Sequence, residues 1–566
     1  MDYKLEISNY IKIQNLTNDQ IYNLLTPSIN ITMGDYSLPC FTFAKVLKKS
    51  PTIIAEQLVN TIQTNEWLNK VQAVNGYVNF YLNRQVVSSK VLANTLQKGE
   101  NFAKTNEGNN KTIVMDYSSV NIAKQMHIGH LFTTTIGNSL SKIYKFLGYK
   151  TVGLNYLGDY GVQFGNIIAA HKIFGSEEQL KNEGIDYVQK MYAKSKEQIA
   201  IDEDFEQLGK DWFLKIENKD KEATRLFDLF KQATLEDVMP IFELLDITFD
   251  EWKGELYYSD KMDNVIKQLN EKGLLQKSRG RQIVDLEQDN LKVAVIVKED
   301  GTTRYITRDL AAAIDRYKKY EFEKCLYITA YEQNLHFAQF FKILEKLGYE
   351  FSKKLMHVSY GRVRLPEGKL SSRYGAKALL KDIFKSSITQ AEKIIEAKNP
   401  ELKNKKHVAK TVGVGAVVYG ALANNKSKDS VFNLDEALSF EGETAPYMQY
   451  TYARCNSIIK KYENLNLSNN IVADYSGINS DEAFEIIKII NNFNNTIKQA
   501  AYKYEPSIIS KAIMNLSKNF NKFYHEYKII DENEQITKAR VNLTIATQTA
   551  LKLGLNLLGI NVVEEM

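Results

Sequence analysis

Three cysteines in 566 residues, Cys40, Cys325 and Cys455, are too few and too scattered for a disulfide framework or a zinc ligand set. No apolar run approaches the roughly 20 residues of a membrane-spanning helix. The opening Met1-Asp2-Tyr3-Lys4-Leu5-Glu6 lacks the basic-then-apolar pattern of a secretory leader. Internal repeats and extended low-complexity tracts are missing as well. So is a strong charge of one sign: a net +5 over this length permits RNA binding but requires any such surface to be a local patch. These absences imply a cytoplasmic globular protein with no membrane partner and no structural metal. What is present is ordinary core-forming material, 44% hydrophobic and 25% charged. The chain is too long for one core, so three or four domains are expected.

One stretch organises the rest. Thr112-Ile113-Val114-Met115 reads as a short buried strand. From Ile128 onward, Leu131, Phe132, Thr135, Ile136, Leu140, Ile143 and Tyr144 recur at helical spacing. The intervening residues form a strand-to-helix turn that ends in His127-Ile128-Gly129-His130 at the helix N-terminus. Doubly wound sheets bind phosphate there, because free backbone N–H groups and the positive end of the helix dipole face the ligand. Gly129 allows close approach to the backbone, and His127 and His130, three apart, share a face. Two surface histidines on an ordinary helix are the bland alternative. The place of the string in the fold, and the polar Ser118, Ser119, Asn121 and Lys124 ahead of it, favour a nucleotide site.

The rest of the chain reads as modules. Residues 1–108 form an α+β unit with a capped helix after Ser50-Pro51 and a strand over Gly76–Leu82. Residues 109–425 alternate strands and helices, as a parallel sheet requires. A charged helical insertion over about 175–290, with long helices Tyr187–Phe205 and Trp212–Leu245, divides the two halves. Val293–Val297 then reads as a buried strand opening the second half. Asp300 to Ala311 holds Tyr305 and Asp309 four apart on an incipient helix. An aromatic plane beside a carboxylate can receive a guanidinium, by stacking and pairing at once. Taken alone, the residues fit helix-start chemistry better, with Thr307 as cap and Asp309 favoured by the helix dipole. Gln333 and His336 follow another strand, Cys325–Thr329. Residues 426–566 are nearly all helix, and seven lysines between Lys488 and Lys528 interleave with aromatics, a combination suited to single-stranded RNA loops.

The string Asp116-Tyr117-Ser118-Ser119-Val120-Asn121-Ile122-Ala123-Lys124-Gln125-Met126-His127-Ile128-Gly129-His130 resembles the HIGH signature of class I aminoacyl-tRNA synthetases, in its arginyl-tRNA synthetase form. Gly34-Asp35-Tyr36, Gly158 to Gly165 (with Tyr160 where the family has Trp), Gly254-Glu255-Leu256-Tyr257-Tyr258 and Phe440 to Arg454 extend the resemblance over nearly the whole chain. Lys369-Leu370-Ser371-Ser372-Arg373 resembles a degenerate KMSKS loop that lacks the second lysine, at Ser372.

The resemblance implies a multidomain α/β protein. It has a Rossmann-like doubly wound parallel sheet, an N-terminal α+β domain touching tRNA, and a helical anticodon-binding domain. It implies activation of arginine with ATP, accompanied by Mg2+, and transfer to the terminal adenosine of tRNA(Arg) by a monomer. Catalysis falls to Lys124, His127, His130 and Lys369. The nucleotide falls to His127, Gly129, His130, Lys369, Ser371 and Arg373. Arginine falls to Asp116, Ser118, Asn121, Tyr305, Asp309 and Gln333, and tRNA to Lys488, Lys498, Lys503, Lys511, Lys518, Tyr452 and Arg454. Two other classes compete: a non-catalytic RNA-binding relative, and a nucleotidyltransferase sharing only the HIGH-type turn.

Overall fold

The computed structural model describes residues 2–14, 16–28, 33–364, 366, 378–468 and 470–566. At its centre is a four-stranded parallel sheet in the order Leu355–Tyr360, Lys324–Ala330, Thr112–Asp116, Lys150–Leu154. Pairing is in register from Thr112 opposite Lys150 to Asp116 opposite Leu154, and from Lys324 opposite Ile113 to Tyr327 opposite Asp116. Successive connections leave Thr112–Asp116 and Lys324–Ala330 toward opposite edges. The C-terminal ends of these two central strands therefore form the switch point where such sheets open a ligand crevice. Beyond the Lys150–Leu154 edge, Glu251–Gly254 runs alongside through parallel bridges from Leu154 and Leu157.

Val293–Val297, expected to open the second half of the parallel sheet, does not join it. Ala294–Val297 instead ends a three-stranded antiparallel sheet with Leu275–Ser278 and Arg281–Val284. The run is apolar because Ala294, Ile296 and Val297 pack with Val265 and Leu269 of one helix and Ile306 and Leu310 of another. A covered antiparallel strand reads like a parallel one. The insertion helices also differ in length from expectation: Ile185–Ile199, Glu203–Glu217 and Lys221–Leu244. Asp202 and Asp220 cap the second and third through their carboxylates, and so set breaks that hydrophobic spacing did not reveal.

Ahead of the sheet, an antiparallel unit orders its strands Thr26–Pro27, Tyr36–Pro39, Tyr77–Leu82, Leu68–Val74. It carries the Pro51–Thr61 helix capped by Ser50. Behind it, five long helices from Ala445–Glu463 to Glu534–Leu557 pack on one another. The Ile128–Phe146 helix joins the sheet to these helices: Ser139 Oγ donates to the Leu557 carbonyl at 2.8 Å, and the Tyr144 hydroxyl to that of Ala501 at 2.9 Å. Its N-terminus sits at the crevice while its far end is buried in the helical module. Among the described residues, no helix is long and apolar enough to cross a membrane.

Candidate active site

The turn from Asp116 to His127 is held in an uncommon shape. Ser118, Ser119 and Ala123 all take φ between 50° and 69°, a region that non-glycine residues seldom enter. Side-chain oxygens compensate by accepting from backbone N–H groups. Thr133 Oγ1 takes that of Ser118 (3.0 Å), Asn155 Oδ1 that of Val120 (3.1 Å), and Thr234 Oγ1 that of Ala123 (3.0 Å). Thr133 in turn donates to the Ile328 carbonyl at 2.7 Å, which ties the helix to a central strand. The Gly158 loop lies against the same turn, exchanging backbone bonds with Val120 and Ile122. Strain concentrated on a supported turn is a mark of a working site.

His127 is the helix cap and not a member of its first turn. Its Nδ1 accepts from the Gly129 N–H at 3.1 Å, while its own backbone N–H donates to His130 Nδ1 at 3.1 Å. With both Nδ1 atoms accepting, the proton of each neutral ring resides on Nε2. The ring centroids are 4.2 Å apart. Burial lowers His130 to about 4, helped by the neighbouring His127 and, more weakly, by Lys124. His130 is therefore a neutral donor at physiological pH. A Cβ on Gly129 would meet the His127 ring at 2.8 Å, so this glycine makes room for the histidine itself.

Ser118, Ser119, Asn121, His127, Gly129, His130, Thr133, Gln333 and Glu332 line one cleft of about 370 Å³ between the ends of the central strands. Lys124 is exposed beside it. Glu332, the one carboxylate among these lining residues, is paired with Arg362. Gln333 ends a short 3-10 turn that leads directly into the Asn334–Leu347 helix. Lys369, Ser371, Ser372 and Arg373 lie outside the described residues.

A second cluster adjoins the cleft. The Asp309 carboxylate bonds His336 Nε2 at 2.7 Å, and the Tyr305 ring meets the His336 ring edge-on at 4.6 Å. Next to Asp309, Arg308 binds Glu255 at 2.6 Å and lies 4.1 Å over the ring of Tyr160. Sequence reading gave Glu255 no role, and no local signal could: its partner is 53 residues away. Burial pushes the Glu255 carboxyl up against the opposing pull of Arg308. The structure does not bring Asp116 into the open cleft. Its carboxylate is paired at 2.8 Å with Arg316, the two side chains being 7% and 4% exposed, and accepts from Ser119 Oγ at 3.1 Å.

The residues assigned to tRNA separate into two groups. Lys488 faces Asp35 and Glu485, Lys498 pairs with Glu107 at 3.2 Å, and Lys518 with Glu443 at 2.7 Å. Tyr452 is buried. Lys503 and Lys511 are exposed, and the Arg454 guanidinium lies 4.9 Å from the rings of both Tyr450 and Tyr524. Among the described residues, no group of three or more His, Cys, Asp or Glu side chains could hold a metal ion.

Known proteins are similar to this chain in sequence and in fold. Residues 91–434 match the family model "tRNA synthetases class I (R), catalytic domain", residues 448–566 the "DALR anticodon binding domain", and residues 2–82 the "Arginyl tRNA synthetase N terminal domain". Proteins named arginine–tRNA ligase from Halothermothrix orenii and Clostridioides difficile are each 43% identical over the full length of both chains. The arginyl-tRNA synthetase structure from Thermus thermophilus superposes with a TM-score of 0.80 at 21% identity over 96% of both chains. That from Plasmodium falciparum gives 0.80 at 23% identity over 100% of this chain and 98% of its own. Together with the supported His-Ile-Gly-His turn at the switch point of the sheet, these matches show that the chain belongs to the arginyl-tRNA synthetases, within the class I aminoacyl-tRNA synthetases.

Proposed function

We propose that this protein activates arginine with ATP and transfers it to the 3′-terminal adenosine of tRNA(Arg), releasing AMP and pyrophosphate. The observation that carries the reading is the pair of imidazoles at the head of the Ile128–Phe146 helix, both turned by their Nδ1 acceptors to present Nε2–H. The arginine carboxylate attacks the ATP α-phosphorus in line, and pyrophosphate leaves. The Nε2–H groups of His127 and His130, with Lys124 and Lys369, meet charge that grows on the phosphate oxygens. The two imidazoles are held by their Nδ1 bonds before the reaction, so little reorganisation is needed during it. Ser371 and Arg373 extend the nucleotide site. Mg2+ accompanies ATP. A ribose hydroxyl of the tRNA then displaces AMP.

Ser118, Asn121 and Gln333 reach the amino acid's α-groups from the cleft wall, and Tyr305 and Asp309 receive its guanidinium. His336 occupies one lone-pair site of Asp309 Oδ2; Oδ1 and the second lone pair of Oδ2 still accept a two-pronged fork. The protein works in the cytoplasm as a monomer, and its modules are 1–108, 109–425 and 426–566. On the helical module, Lys503 and Lys511 are the tRNA contacts that exposure favours, and the half-buried Arg454, bonded to Asn521 and set beside the rings of Tyr450 and Tyr524, lies in the same module.

ATP–pyrophosphate exchange with arginine and tRNA tests the whole reading. Asp309→Asn should lower kcat/KM for arginine by about 2–5 kcal/mol, the range for truncating a buried charge pair. Tyr305→Phe should cost less, and ATP affinity measured without arginine should hold. Exchange supported equally well by citrulline, which is neutral, would remove Asp309 from the pocket.

A further inference from the structure

His336 joins the two halves of the amino-acid pocket, and the reaction described above makes no use of it. Its Nε2 donates to Asp309 Oδ2 at 2.7 Å, and its ring meets that of Tyr305 edge-on at 4.6 Å. The ring also lies near-parallel to that of the fully buried Phe340, with centroids 6.1 Å apart and planes 11° from parallel, and meets that of buried Phe337 edge-on at 5.2 Å. The imidazole therefore packs among buried aromatics and touches both side chains assigned to the guanidinium. A carboxylate only accepts, so Nε2 carries the proton of this bond.

The effect on Asp309 follows from its own torsions. The terminal torsion of an aspartate is broad and roughly two-fold, so a lone carboxylate turns easily. A guanidinium fork needs both acceptor oxygens in its own plane, whereas an ammonium is a point charge indifferent to that plane. One bond from a fixed ring selects the plane. His336 also stands one helical turn beyond Gln333, which lines the nucleotide cleft. One rigid helix thus spaces the group that meets the substrate's α-end from the group that orients the receptor of its side chain.

We propose that His336 is a positioning residue for guanidinium recognition: it locks the carboxylate plane of Asp309 and seats Tyr305 beside it. The proposal rests on the reading of Asp309 as the arginine receptor. The test is tRNA-dependent pyrophosphate exchange on the full chain, with KM for arginine and for ATP measured separately in three variants. His336→Gln places an N–H donor near the position of Nε2. His336→Asn has a donor that stops short of it. His336→Phe keeps the ring and loses the donor. Hydrogen bonds to charged groups are the stronger kind, so His336→Phe and His336→Asn should raise the arginine KM by about 10-fold or more, and His336→Gln by no more than about 3-fold. KM for ATP should stay within about 2-fold throughout. Should the Phe variant fail to fold, the Asn and Gln pair decides the matter alone.

An unchanged arginine KM in His336→Asn or His336→Phe overturns the proposal. So does equal impairment in His336→Gln and His336→Asn, which would make the ring and not the donor the active feature. A parallel rise in KM for ATP would also overturn it, by revealing general damage to the sheet. Asp309→Asn measured alongside separates the two levels. No effect there refutes the receptor assignment itself; a large effect there with none at His336 refutes only this inference.

Discussion

Asp116→Asn distinguishes two roles for a residue that the family resemblance assigns to arginine. In the fold its carboxylate meets Arg316 at 2.8 Å, and both side chains are almost wholly enclosed. Removing one partner of such a pair leaves an uncompensated buried charge, which typically costs about 3–5 kcal/mol. Here the stranded cation keeps other company: Arg316 lies 5.0 Å from the ring of Tyr156 and 5.5 Å from that of Tyr327. Desolvated cation–π contacts of this kind are worth up to about 2 kcal/mol each and survive the substitution. They place the expected loss at the lower end, about 3 kcal/mol. Urea unfolding reports it through Trp212 and Trp252 of the catalytic module, in a Trp67→Phe background that silences the N-terminal unit. The double variant Asp116→Leu, Arg316→Met removes both charges and should recover most of the loss, because an apolar replacement of a whole buried pair is often neutral. Loss of arginine affinity with unchanged stability would refute the argument. It would mean that Asp116 serves substrate and that its pairing with Arg316 is incidental.

His127→Ala and His130→Ala should each slow adenylate formation by about 10²-fold or more, as for lost transition-state donors, with tRNA binding nearly intact; a wild-type rate in either removes the nucleotide-site assignment. Lys124→Ala should lower the rate constant more than it weakens ATP binding, and Ser372→Lys in that background should recover part of the loss. A defect confined to the ATP KM would mean that Lys124 does not supply the charge that the Lys369–Arg373 segment lacks at Ser372. Burial lowers His357 to about 4, below the roughly 6.5 of an unfolded histidine. Its contribution is therefore complete above about pH 6.5 and fades as pH falls toward 4, because the unfolded chain takes the proton first. Between about pH 7.5 and 5.5 the loss should be about 1 kcal/mol, and His357→Asn should abolish that share; an identical acid sensitivity in the variant would contradict it.

What the sequence determined by itself is local. The Thr112–Asp116 strand, the turn and the Ile128–Phe146 helix were legible because strand burial, helical period and the polar turn lie in one contiguous stretch. Ser50 with Pro51 marked a helix start for the same reason. Even there, the ring orientations of His127 and His130 came from backbone geometry that no spacing encodes. Tertiary structure alone decided the partners. Asp116 finds Arg316, Glu255 finds Arg308, Asp309 finds His336, and Lys488 faces Asp35, each across separations where residue type says what can pair but not with whom. Tertiary structure also moved Ala294–Val297 into an antiparallel sheet, since an apolar run records that a strand is covered and not what covers it. Charge is long-ranged and interchangeable among lysines, so a basic stretch in sequence could not say which members bridge modules and which face solvent. Only the packing of the helices against the rest of the chain assigned Lys498 to Glu107 and left Lys503 and Lys511 exposed.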